Sequence, residues 1–485
     1  MLRGRTADLV YRFIQRHPSL RRGLEEGIVS PHAIAQRIET SQRSPRSREA
    51  LSVGIRRVER RVKEERQIAT RQVPLRDARP VLYPRYTLAR LRDDPTTWSA
   101  LARSAAMVES ALESPRAFLA IQQGAPSLLF LAPARRLEPI LAAVPAGLCQ
   151  GTWTDLTVAG IDLESIAPET PGVIATLDDT LVRVGLVPRL MVGVGHEFRW
   201  VGPAPMGPRI EAALRLGLGG SAEGAKVAVR YRRPRGMGVD KREEGALSAA
   251  EVARDYIERH PSVADCLAYG VVNITLLARR ISEELQDPRV DALEMAIRRY
   301  PVRVDPSDTL EHRLLEVVAA SRVEVRTRVA LVTLPPSTDL LRTILSREAM
   351  EARSQRRLFQ VLQGPSQVTI LCESEYVPQL RLLAQSRREI PVIWGELTAI
   401  TVESPREVYE TPGVVAYLAG TLSRQRINCV ELMSLNTEST FVVQQADAPR
   451  AFQALSELVF DLKGPTAPAE GGPRRSPERR PRSRP

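Results

Sequence analysis

The sequence predicts an α+β protein built by internal duplication, each half a helical module followed by two β-α-β-β-α-β units. Three observations predict it. The first is a repeat: Arg16-His17-Pro18-Ser19 recurs as Arg259-His260-Pro261-Ser262, and the match continues with ten identities over the 23 residues Arg16 to Ile38 at an offset of 243. Ile55-Arg56-Arg57 answers Ile297-Arg298-Arg299, Gln123-Gly124 answers Gln363-Gly364, and Glu169-Thr170-Pro171-Gly172-Val173 answers Glu410-Thr411-Pro412-Gly413-Val414, in the same order and at offsets of 240–243. Matches that keep order and spacing mark a duplicated unit. The second observation is that the apolar period changes within each half from helical to strand-like. The third is the punctuation. Residues 219–246 are rich in Gly and charge and read as a linker, while 464–485 cannot bury a core and read as a disordered basic tail. The expected divisions are helical modules at 1–66 and 247–303, a first pair of units at 78–218, and further units at 320–396 and 397–463.

In the second helical module, Ala249 to Arg259 reads as a helix and Pro261 opens another after His260. Gly270 stops it, because glycine takes the left-handed conformation without strain. Asn273 caps a helix whose Leu276, Leu277, Ile281 and Leu285 are expected to form a core-facing stripe. Asp287-Pro288 breaks the chain before a helix from Val290 to Tyr300. The first module repeats this with Ser30 as cap, Pro31 at the first helical position, and a last helix through Ala50–Arg57.

The units that follow alternate strand and helix. In the second half, strands are expected at Val323–Val332, Leu358–Leu362, Val368–Leu371 and Ile390–Trp394, with helices at Thr338–Ser354 and Tyr376–Gln385. The order then recurs: strands Leu397–Val402, Ile427–Met433 and Thr440–Gln444, with helices Gly413–Arg424 and Ala448–Leu462. The first half follows the same order more loosely. Its opening strands, near Val81–Leu88 and Thr152–Val158, carry the weakest patterns.

Composition narrows the class. The 485 residues are 43% hydrophobic and 26% charged, which excludes a wholly disordered chain. No apolar run approaches the roughly 18–20 residues of a membrane span. Four scattered cysteines, with no CxxC pair, argue against a disulfide framework or zinc ribbon and fit a reducing cytoplasm. The net charge of +12 equals that of residues 1–90, which hold 21 basic and 9 acidic side chains, so basicity sits at one end of the chain. The five histidines show no metal-ligand spacing, and no nucleophile–base or paired-carboxylate motif stands out; neither catalytic residues, metal nor cofactor is expected.

A capped helix, a short break and a second helix ending in paired arginines resemble a winged helix-turn-helix. That resemblance implies contacts to double-stranded DNA from Arg43, Arg46, Arg48, Arg56, Arg57, Arg60 and Arg61, with Arg298 and Arg299 in the second copy. The run Arg322 to Thr333 would be either a wing or the first strand of the next unit. The competing reading is an ordinary α-rich module with a solvated arginine face.

At Thr411-Pro412-Gly413-Val414 and Arg426-Ile427-Asn428-Cys429 the sequence resembles an ACT domain of the aspartokinase type, although Arg426 replaces the glycine expected before Ile-Asn. The module ending in Ala-Ile-Arg-Arg is also similar to small uncharacterised archaeal proteins that join such a module to ACT sequences. The resemblance implies ferredoxin-like units that pair within the chain, possible homodimers, and an amino acid or similar effector at the turn before the first helix. There, free N–H groups and the positive end of the helix dipole receive a carboxylate. The implied ligand contacts are Thr411, Pro412, Gly413 and Val414, with Asn428 and Ser434 as side-chain partners. The first copy keeps Thr170-Pro171-Gly172-Val173 but has Gly185-Leu186-Val187 at the asparagine motif, so its site is expected to be altered or empty. The expected function is an amino-acid-sensing regulator, not an enzyme, acting on transcription. The alternative is a regulatory or scaffold subunit that binds an amino acid and docks on a metabolic enzyme without DNA.

Overall fold

Proline decides where the helices of the two halves part company. The first half runs α1 (Arg5–Arg16), α2 (Pro18–Glu26), α3 (Pro31–Gln42) and a long α4 (Arg48–Gln72). The second has α9 (Ala249–Arg259), α10 (Pro261–Ala268), α11 (Ile274–Leu285), α12 (Val290–Arg298) and, after a break, α13 (Leu310–Ala320). Pro301 follows Tyr300 where α4 reads through Val58, and a proline disfavours helix at the preceding residue. The computed structural model describes residues 5–42, 46–72, 80–103, 118–124, 127–163, 172–182, 186, 188, 190–194, 197–217, 248–302, 305, 308–335, 358–363, 367–435 and 437–463. The linker 219–246, the tail 464–485 and the expected helix Thr338–Ser354 lie outside these residues.

The two helical modules share one core. Val10, Ile14, Leu20, Leu24 and Ile38 pack with Tyr256, Ile257, Val263, Cys266 and Leu277. Helices α2 and α10 meet at Gly23, where a Cβ would lie 2.5 Å from Val29 Cγ1 and 3.1 Å from Cys266 Sγ. Asn273 caps α11 by accepting from Leu276 N, as expected. The stripe on α11 differs from expectation: Leu277, Ala278 and Ile281 are buried, whereas Leu276 and Leu285 are 40% and 50% exposed. The buried face follows positions i, i+1 and i+4; Leu276 points away from it, and Leu285 continues it but is the last residue of the helix.

The first-half sheet elements are β1 (Val81–Arg92), α5 (Pro95–Arg103), β2 (Leu119–Gly124), β3 (Ser127–Pro133), α6 (Ala134–Ala143), β4 (Cys149–Asp162), α7 (Val173–Val182), β5 (Leu190–Val194), β6 (Glu197–Pro203) and α8 (Gly207–Gly217). The second half gives β7 (Arg322–Leu334), β8 (Phe359–Gln363), β9 (Val368–Glu373), α14 (Val377–Ser386), β10 (Val392–Glu403), α15 (Val414–Arg424), β11 (Cys429–Leu435), β12 (Glu438–Gln444) and α16 (Ala448–Lys463). Helix and sheet content agrees with an α+β chain.

The arrangement of the sheet corrects the expectation of separate ferredoxin-like units. All twelve described strands form one closed antiparallel ring in the order β1-β3-β2-β8-β9-β7-β10-β12-β11-β5-β6-β4, with β4 returning to β1. The expected strands Ile390–Trp394 and Leu397–Val402 are two arms of β10, which pairs with β7 through both arms and with β12 through the second. β1 and β4 do the same in the first half. Each long strand bends at a left-handed residue: Arg85 (φ 66°), Asp155 (φ 55°), Arg328 (φ 59°) and Glu396 (φ 56°). Such bulges let a strand turn a corner and serve two faces. The physical reason for closure is the edge: isolated four-stranded units would leave unpaired N–H and C=O rows, and a ring leaves none.

Isologous contacts relate the halves by a pseudo-two-fold axis. Ile121 pairs with Val361, Val192 with Met433, and Val29 bridges Val272, each a residue against its own repeat counterpart. Strand side chains such as Leu131, Val158, Val201, Leu371 and Val442 fill the inside of the ring. Its outer surface packs against helices, including Leu177 of α7 and Leu418 of α15 on one side and Leu137 of α6 and Leu380 of α14 on another.

Candidate functional site

The glycines Gly172 and Gly413 stand at opposite ends of a helix pair on the pseudo-two-fold axis. Gly172 (φ 87°) precedes α7 and Gly413 (φ 95°) precedes α15, the left-handed conformation that favours glycine. A Cβ on Gly172 would lie 2.7 Å from Ser423 Oγ at the end of α15. One on Gly413 would lie 3.3 Å from Val182 Cγ1 at the end of α7 and 3.2 Å from Leu314 Cδ1 of α13. The helices therefore run antiparallel, and each turn faces the other half's helix C-terminus.

The expected ligand set does not converge. Thr411, Pro412 and Val414 are buried; Thr411 Oγ1 donates to Glu407 O at 2.8 Å, and Gly413 O accepts from Tyr417 N. Asn428 follows the far end of α15, where Ile427 N donates to Leu422 O at 3.1 Å. Eleven helical residues at 1.5 Å each put roughly 15 Å between Asn428 and Thr411. Ser434, near the end of β11, bonds Ser439 Oγ at 3.1 Å. Asn428 thus belongs with the end of α15 that meets Gly172, while Thr411, Pro412, Gly413 and Val414 lie at the other end. Thr170, Pro171, Gly185 and Val187 lie outside the described residues.

Asp178 is the residue that sequence reasoning missed. It is buried in α7, and its carboxyl accepts from the Ala416 N–H in the first turn of α15. Burial raises it to about 7, against the pull of that N–H and of Arg22. A carboxylate of this chain therefore already occupies a donor of the α15 N-terminus. Its repeat counterpart is the buried Ala419, which offers nothing to the corresponding Ala175 N–H of α7. The only sequence signal was the Asp/Ala difference between copies, uninformative until the helices are seen to be antiparallel.

The arginines divide into engaged and exposed. Arg48 makes two bonds to Glu39 Oε2, at 2.9 and 2.7 Å. Arg61 bonds Glu65 at 2.8 Å and lies 3.9 Å over the Tyr11 ring. Arg46 is partly buried and engaged, Arg298 pairs with Glu294, and Arg43 lies outside the described residues. Arg56, Arg57 and Arg60 are exposed along α4, and Arg299 is exposed after α12.

The wing of the winged-helix expectation has no support. The run Arg322–Thr333 is β7 of the ring, the second of the two expected placements, and not a wing. Helices α3 and α11 both start beside the axis, where Ser30 N donates to Val271 O at 2.8 Å and Asn273 N to Ile28 O at 2.7 Å. The helices that carry the expected DNA contacts are α4 and α12, not α3 and α11.

No protein-family profile and no curated protein matches the chain. Among solved structures, it is similar to aspartate kinase from Synechocystis at 12% identity and a TM-score of 0.27, covering 82% of this chain and 57% of that one. Aspartate kinase from Clostridium acetobutylicum matches at 11% identity and 0.24, covering 28% of this chain and 34% of that one. The ligand-free regulatory subunit of aspartate kinase from Thermus thermophilus matches at 12% and 0.24, covering 29% and 98% respectively. Scores this low identify neither a fold nor an activity. Among the described residues no helix is long and apolar enough to cross a membrane.

Proposed function

We propose that the chain is a regulatory protein, a fused pseudo-dimer that binds a small carboxylate-bearing effector, with an amino acid as first choice, and performs no catalysis. The effector site is the α7 N-terminus: Gly172 and the first-turn N–H groups receive the carboxylate, and Ser423 and Asn428 of the other half supply polar contacts. The carrying observation is Asp178, which places a carboxylate on the equivalent donor of α15. The chain thus carries an internal likeness of the ligand at one end and Ala419 at the other. This reading transfers the effector from the second copy, where Thr411–Val414 lie, to the first.

A thermal-shift panel of the twenty amino acids tests it. One or a few should raise Tm saturably, and Ala419→Asp, which copies Asp178 onto the empty side, should abolish the response. No stabilisation by any of them would sink the amino-acid reading; a response surviving in A419D would move the site elsewhere.

The second reading, a transcriptional regulator, keeps one supporting feature in the exposed Arg56, Arg57 and Arg60. The placement of Arg322–Thr333 in β7 rather than in a wing favours the alternative without DNA, a regulatory subunit that docks on an enzyme. Duplex binding that falls steeply with salt, and falls further in the triple Arg→Ala variant, would restore the DNA reading.

A further inference from the structure

A second face of α15 turns away from α7 toward the helical module. Tyr417, Thr421 and Arg424 lie along it at i, i+4 and i+7, and Tyr417 OH donates to Gln15 O of α1 at 3.2 Å. Around this contact the polar groups do not close among themselves. Arg424 Nη2 donates to Thr421 Oγ1 at 2.7 Å, and among the described residues no carboxylate comes within ion-pair distance of it. Arg21 of α2 holds Glu65 at 3.0 Å and Glu25 at 3.1 Å, yet its Nη1 is buried without a partner. Both ends of the Gln15 amide are buried and unpartnered as well. Nearby acids are taken: Glu65 also serves Arg61 and Tyr11, and Asp461 pairs with Arg16.

A guanidinium withdrawn from water without a counter-ion is costly, and buried charges are ordinarily paired. Burial, and next to it Arg21, pull Arg424 down to about 10, so it stays charged at neutral pH. The duplication supplies a control. Repeat counterparts of Arg424, Arg21, Gln15 and Tyr417 are Arg183, Ala264, Glu258 and Thr176, so two cations and a neutral amide occur together in one copy only.

We propose that Arg424, Arg21 and Gln15 form a site for an oxyanion group, a phosphate or carboxylate of a small metabolite, held between α15 and helices α1 and α2. Guanidinium forks suit such groups. The occupant would tie the helical module to the ring at the helix whose end carries Ser423, so binding there would be linked to the site at Gly172. The proposal rests on residues outside that site and stands without it.

The test uses the full chain. Tm is followed as sodium phosphate, or in a second arm sodium acetate, replaces chloride at matched ionic strength. A saturable rise with either anion is expected: phosphate alone assigns a phosphate-bearing ligand, acetate alone a carboxylate-bearing one. Arg424→Met should weaken the apparent affinity by about tenfold or more, while Arg60→Met leaves it unchanged. In chloride, R424M should melt no lower than the wild type, because it removes an unpaired charge. If R424M fails to fold, Gln15→Leu should still weaken the response several-fold. No saturable shift with either anion, or an unchanged affinity in R424M or Q15L, overturns the proposal.

Discussion

The two halves repeat each other in backbone and differ where their side chains meet. At the axis, α7 and α15 are each preceded by a left-handed glycine, yet one carries Asp178 where the other carries Ala419. The Gly413 turn is closed by Val182 and Leu314, whereas the Gly172 turn faces the hydroxyl of Ser423. On the strands, Leu190 of β5 is answered by Glu431 of β11, a fully buried carboxyl whose two oxygens have no partner among the described residues. A fused pair can specialise in this way, because a change in one copy is not imposed on the other, as it is in a homodimer.

Seven substitutions would break or sharpen that comparison. The largest effect is expected from Leu314→Ala, which empties the side chain that closes only the Gly413 turn. Chemical denaturation should show a loss of about 2–4 kcal/mol, and a negligible loss would mean that α13 does not distinguish the two ends. Next is Glu431→Leu, which restores the residue of the other copy and should stabilise by about 1–3 kcal/mol at pH 8. Burial raises the folded Glu431 well above the ordinary carboxylate range. The native state therefore keeps a proton that the unfolded chain releases. Its stabilising contribution is whole below the unfolded carboxyl range and is lost as pH rises toward the folded value. The gap between E431L and wild type should widen from about pH 4 to pH 8; a constant gap would show that Glu431 is not held neutral.

Smaller effects follow at the turns. Gly172→Ala and Gly413→Ala should each cost about 1 kcal/mol from the left-handed backbone alone. The second should cost more, since Leu314 and Val182 must both give way while Ser423 can rotate. Equal melting shifts would remove that distinction. The smallest change is expected from Arg56→Ala, Arg57→Ala or Arg60→Ala, each within about 0.5 kcal/mol in thermal unfolding. A larger loss would show that these arginines hold the module together.

Much of the local structure was legible because its causes are local. Asn273 as cap, Pro31 and Pro261 at helix starts, and Gly270 in the left-handed conformation follow from their own chemistry and nearest neighbours. The expected effector set was only partly legible. Thr411 to Val414 and Asn428 are close in sequence, yet the length of α15 separates them. The residue that completes each end comes from the other half, more than two hundred positions away. Likewise Leu276 satisfied an apolar pattern on α11 without facing the core.

The sequence by itself determined the duplication, the helical and strand-forming stretches and the turn glycines, since periodicity, capping and positive φ act within a few residues. Tertiary structure decided that the strands close into one ring, that α7 and α15 cross antiparallel on the axis, and that Tyr417 of α15 meets Gln15 of α1. Those outcomes depend on which edges must be paired and which faces must be buried across the whole chain. No window of sequence records them.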